Sequence, residues 1–230
     1  MSDFWGRVAS RPGGPVVRSN GVSVGELIRR LEAGEPAQAV VDATRIDAAD
    51  LVSVLAHDAL GEDESGGLPL VQGSPRRPAL SRALGEESLT GLWPNAPRTA
   101  RLALSAGLYQ VYDFWDPSHH AAQQADDLGE ASVSAYWHGI AHRREPDAGN
   151  ASYWFRRVGR HPLFPALGAA ARPLVEARDP SLAAKLFPGG SWDPYAVIDF
   201  CTRARGENAG LALALQRLEM IHLLGASLPA

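Results

Sequence analysis

The sequence predicts a mainly α protein: a small helix-turn-helix-like N-terminal domain followed by an irregular all-helical bundle. Three observations carry this. Apolar residues recur at three- and four-residue spacing behind capping residues, proline and glycine close most of these stretches, and beyond residue 78 no stretch alternates apolar with polar as a half-buried strand would. With 230 residues, of which 45% are hydrophobic and 21% charged, the chain is long enough to bury a sizeable core and ordinary in composition for a globular protein.

The N-terminal domain is expected over 1–61. PVVRSNGVSV (15–24) reads as a short strand, a turn at Ser19-Asn20-Gly21 and a second extended piece. Ser23 and Glu26 form a capping-box pattern, and Leu27, Ile28 and Leu31 follow on one helical face. Gly34 ends that helix and Pro36 opens the next. Asp47 caps a third helix carrying Leu51, Val52, Leu55 and Leu60, which stops at Gly61. Residues 62–78, rich in Gly, Pro, Ser and acid, read as a linker or lid. The all-helical domain is then expected over 79–230, with helices at 79–92, 98–115, 118–128, 131–145 and 151–158, and several more toward the end.

The totals exclude several classes. A net charge of −4 does not suit a protein that coats nucleic acid or an anionic membrane. The single cysteine, Cys201, allows no internal disulfide and no cysteine-based zinc cluster, which fits a reducing cytoplasm. MSDFWGRVASRPGG lacks an apolar stretch of signal-peptide length, and no apolar run is long enough to span a membrane. A cytoplasmic location is the expectation.

RPGGPVVRSNGVSVGELIRRLEAGEPAQAVVDATRIDAADLVSVLAHDAL resembles the small helix-turn-helix domain of unknown function found in some VapBC-type antitoxins, through its G-x-P-V-x-R entry, the V-x-x-[IL]-x-x-L-x-x-G spacing and the capped helix ending in AHDAL. The resemblance implies a protein partner for this domain in a toxin–antitoxin-like, regulatory role. The residues argue against DNA. The third helix offers Asp47, Asp50, Ser53, His57 and Asp58, and residues 1–62 hold six Arg/Lys against nine Asp/Glu, so phosphates would be repelled.

The chemistry concentrates in YWHGIAHRREPDAGN (136–150). At about 100° per residue, His138, His142 and Glu145 fall on one stripe of the helix, continuing a line of small residues at Ala131, Ser134 and Ala135. Two imidazoles and a carboxylate on one face suit a divalent transition metal such as Zn, Mn or Fe. Gly139 follows His138, so this is not the HExxH helix of a metalloprotease. Pro146 ends the helix, and Asp147 and Asn150 fall in the turn beyond. The preceding helix, opening at Pro117-Ser118, brings His119 and His120; as an antiparallel neighbour it is expected to leave them at the far end from His142.

An anion site is the second reading. Arg143, Arg144, Arg156, Arg157 and Arg160 lie within 137–161 against only Glu145 and Asp147, and Asn150 stands where it would cap the next helix. The third reading is a buried hydrogen-bonded network with no ligand. SHHAAQ, YWHGIAHRREPDAGNASYWFRRVGRHP and WDPYAVIDFC also resemble strings in a family of bacterial proteins without an assigned activity; that pattern retains the histidine after the serine and so favours His119 over His120. The scheme that follows places a metal on His138, His142 and Glu145, takes Asp147 or His119 as base, and gives Arg143, Arg144, Asn150 and Arg156 to a small anionic substrate of a hydrolase. The sequence leaves open whether the chain is an enzyme at all; its rivals are an interaction protein working through the N-terminal domain and a structural protein without chemistry.

Overall fold

The computed structural model describes residues 4–61 and 68–229. The protein is mainly α, as expected. Its small sheet is a two-stranded hairpin in which β1 (Val8–Ala9) pairs antiparallel with β2 (Val16–Val17). The second extended piece expected after Gly21 is reduced to a single bridge, Val16 to Ser23, on the edge of β2 opposite β1.

Helices α1 (Val24–Glu32), α2 (Ala37–Thr44) and α3 (Ala48–Leu60) follow where the spacing places them. Val24, Leu27, Ile28 and Leu31 of α1 are buried. Ser23 occupies the N-cap position, yet its side chain makes no capping bond, so the expected capping box is absent there. At α3 the box is complete: Asp47 accepts from the Asp50 backbone N–H while the Asp50 carboxylate accepts from the Asp47 N–H. Arg7 joins both carboxylates, which ties the hairpin to the start of α3.

The larger part holds α4 (Ser81–Leu84), α5 (Glu86–Leu92), α6 (Arg98–Val111), α7 (Trp115–Asp127), α8 (Val133–Arg144), α9 (Ala148–Val158), α10 (Leu163–Glu176), α11 (Pro180–Leu186), α12 (Pro194–Arg203) and α13 (Glu207–Ala226). The helix expected over 79–92 is broken at Gly85, whose backbone is extended and lies under the Tyr109 hydroxyl. The helix expected to run to 115 stops at Val111, and α7 begins at Trp115, which leaves Pro117 in a first turn where no backbone donor is needed. α8 starts at Val133 because the Glu130 carboxylate reaches forward to accept from the backbone N–H of Ser132, Val133 and Ser134.

Residues 62–67 lie outside the described residues. The remainder of the expected linker, 68–78, is bound to both parts of the chain. Leu68 is buried, and the Leu68 and Pro69 carbonyls accept from Gln216 of α13. Gln72 N–H donates to the Arg144 carbonyl, and Arg77 pairs with Asp58 and Glu32. Helix α3 packs on α6 and α13, so the N-terminal helices share one apolar core with the bundle. No helix among the described residues is long and apolar enough to cross a membrane.

The bundle is organised around α8, which packs on α6, α7, α9 and α12. Every residue from Ser134 to Arg144 is buried. An all-buried helix that carries two histidines and two arginines must find partners for each of them. Where those partners lie defines the site.

Candidate metal centre

The two arginines turn away from the histidines. Arg144 Nη2 lies 2.6 Å from Asp113 Oδ1, and its other donors reach the carbonyls of Pro69 and Gln110. Asp113 holds its carboxylate there from a left-handed backbone (φ 64°), which a short acidic residue tolerates. Arg143 faces α13, where its Nη2 lies 2.6 Å from Glu219 Oε2. Both were expected to hold a substrate anion beside the histidines; each is instead buried against a carboxylate of the fold. Arg156 was expected there too, but it is exposed on α9, and a separation of two helical residues turns it away from Trp154, the side of α9 that meets the histidines. Arg157 pairs with Asp126 and lies over the Trp154 ring.

The histidines come together across two helices, α7 and α8. The rings of His138 and His142 are 5.1 Å apart and nearly parallel, one turn apart on α8. His119 of α7 closes the group, edge-on to both, at 4.3 Å from His138 and 5.2 Å from His142. One ring nitrogen from each of the three lies within 4.8 Å of the others. This overturns the expected separation of His119 from His142. In an antiparallel hairpin the chain folds back on itself, so the start of α7 lies beside the end of α8. Trp115 pins that register: its indole N–H donates to the Ala141 carbonyl at 3.1 Å, while its ring stacks on His119 at 4.9 Å.

The residues beyond α8 take roles other than those expected. Glu145, expected as a metal ligand, stands behind His142 and accepts from its Nδ1 at 2.8 Å. That bond fixes the tautomer with the proton on Nδ1, leaving the Nε2 lone pair for another partner. The Asn150 amide lies 3.1 Å from that Nε2. Asp147, expected as a general base, is the N-cap of α9 and accepts from the Asn150 backbone N–H at 2.9 Å, which steers Asn150 toward His142.

His138 lacks the partners that buried polar groups usually have. It is 1% exposed, its ring stacks on Trp154 at 3.6 Å, and neither ring nitrogen has a hydrogen-bond partner among the described residues. Burial, then the neighbouring His119, His142 and Arg157, push its imidazole down to about 3. Burial and His142 also lower His119. The His138 and His119 rings are therefore neutral near pH 7, the form that ligates a cation. His119 is only half-buried, so solvent reaches the cluster along α7.

Trp115 and Trp154, which clamp the site, were missed in the sequence. The i, i+4 spacing of Trp115 and His119 was the available signal for the first. Among other candidates, the Ser118 hydroxyl is buried and bonded to the Ala106 carbonyl and Gln110. His120 is exposed, and burial raises the Cys201 thiol to about 11, which leaves it protonated. Comparisons with known protein families, with curated proteins and with solved structures found no match to this chain.

Proposed function

We propose that His119, His138 and His142 bind one divalent transition metal ion, of the Zn, Mn or Fe class, and that the protein is a metal-dependent hydrolase acting on a small anionic substrate. The observation that carries the metal reading is His138, a buried imidazole with two unpartnered nitrogens, facing two further imidazoles at ligand distance. A buried polar ring without a partner is costly, and a cation shared by the three rings removes that cost. Three nitrogen ligands leave positions for water or substrate, and a bound ion would supply an acidified water and a Lewis acid.

This chain's own residues do the rest. Glu145 orients His142, Trp115 and Trp154 fix the His119 and His138 planes, and Asn150 offers an amide at the edge of the site. A divalent ion on uncharged ligands presents net positive charge, which selects an anionic substrate although Arg143 and Arg144 face away from the histidines.

The test is elemental analysis of untagged protein dialysed without chelator, with His142→Ala and His138→Ala beside it. About one metal ion per chain, lost in both variants, is the expected result. Metal-free wild type that also fails to take up added zinc, with variants that change only stability, would leave the cluster a structural network. A panel of phosphate and carboxylate esters, assayed with and without metal, then tests the hydrolytic part separately.

A further inference from the structure

A second buried group is left open on the other side of α8. Arg143 is 3% exposed, and its Nε and Nη1 have no hydrogen-bond partner among the described residues. Its one ion pair, with Glu219, engages Nη2. Glu219 is itself held by the Tyr136 hydroxyl at 2.9 Å, so its carboxylate is not free to turn toward the remaining donors. One carboxylate balances the charge of a guanidinium but does not satisfy its five N–H groups.

Arg143 lines a pocket of about 520 Å³, a volume typical of small-molecule sites. The other walls include the apolar side chains of Leu70, Val71, Pro146 and Leu213, with Arg205 as a second cation. Arg205 is anchored through Nη1 to the carbonyls of Thr202 and Ala204. Among the described residues no acidic side chain lines this pocket. Glu219 balances Arg143 from behind, so one positive charge, that of Arg205, is left unbalanced. The pocket therefore matches a single negative charge on an apolar body. A phosphate dianion would exceed that charge and meet apolar walls.

We propose that this pocket binds a small monocarboxylate with an apolar chain, its carboxylate held by Arg205 and by the field of the buried, incompletely bonded Arg143 guanidinium in the pocket wall. The site is separate from the metal centre and does not depend on it: the histidines face α7 and α9, whereas Arg143 faces α13.

Calorimetric titration of the full-length protein tests it, with hexanoate, hexanamide and inorganic phosphate as probes and with the variants Arg205→Gln and Leu213→Trp. Hexanoate should bind saturably at one site, and hexanamide about tenfold more weakly for want of the charge. Arg205→Gln should weaken hexanoate about fivefold, because Arg205 is solvent-exposed, and Leu213→Trp should abolish binding by filling the pocket. Thermal unfolding checks that both variants fold; if Leu213→Trp does not, the Arg205→Gln result decides. The proposal is overturned if hexanoate gives no saturable binding, if its binding is unchanged in Arg205→Gln, if it survives in a folded Leu213→Trp, or if phosphate binds and hexanoate does not.

Discussion

At the scale of single residues, the chemistry of α8 turns on which polar group finds a partner inside the fold. His142 has Glu145, Arg144 has Asp113 and Arg143 has Glu219, but His138 has none. Residue type and helical spacing put His138 and His142 on one face, and that much was legible. The partners were not, because Asp113 and Glu219 are distant in sequence, and five clustered arginines look like an anion site until their carboxylates are known. Glu145 was legible as a neighbour of His142 but not as its support. Replacing it tests that role. Glu145→Ala should weaken zinc binding about tenfold or more, as removal of a carboxylate behind a ligating histidine does elsewhere. Competition against a chromophoric chelator measures the affinity. Because the Glu145 side chain is partly exposed, the metal-free variant should unfold close to wild type. A zinc affinity unchanged in Glu145→Ala would mean that the bond to His142 does not tune the ligand.

At the scale of elements, the site depends on how closely neighbouring helices approach α8. Gly107 of α6 lies against Trp137, which is fully buried and whose indole N–H is held by Ser227, just past the end of α13. A Cβ at residue 107 would sit 2.5 Å from the Trp137 ring. Gly107→Ala should therefore destabilise the protein by about 2 kcal/mol, since overpacking outweighs the roughly 1 kcal/mol that alanine gains in helix propensity. Denaturant unfolding measures this; a stabilised variant would show that α6 can slide off α8 at little cost. The same scale explains what the sequence made visible. The starts and stops of α1 and α3 followed from Gly34, Asp47 and Gly61, because caps are local. The break at Gly85 was hidden, since it answers to Tyr109 on another helix. The closeness of His119 and His142 was hidden too, because it belongs to the folding back of the α7–α8 hairpin and not to either helix alone.

At the scale of the whole molecule, the buried histidines couple stability to pH. His119, His138 and His161 are all held below their usual value, with burial the largest cause in each. Such a ring is protonated in the unfolded chain first. Its contribution is full above about 6.5 and is lost as pH falls from there toward the folded value, which for His138 is about 3. Between pH 7 and pH 4 the metal-free protein should therefore lose about 2 kcal/mol through His138, a figure reduced for the solvent that enters beside His119. Guanidinium titrations at the two pH values read the loss, and His138→Phe should flatten the slope by a similar amount. A wild-type slope equal to that of the variant would mean that His138 is not held neutral by the fold.

The sequence by itself determined the mainly α class, the extents of α1 and α3, the caps of α3 and the common face of His138 and His142. These follow from spacing and from hydrogen bonds a few residues long. The tertiary structure alone decided that His119 completes the cluster, that Glu145 and Asp147 support it from behind, that Trp115 and Trp154 clamp it, and that Arg143 and Arg144 serve other parts of the fold. The physical reason is that a coordination sphere and a buried ion pair both require groups far apart in the chain to be brought within a few ångströms. Local periodicity fixes the direction a side chain takes from its helix, and only packing fixes what it meets.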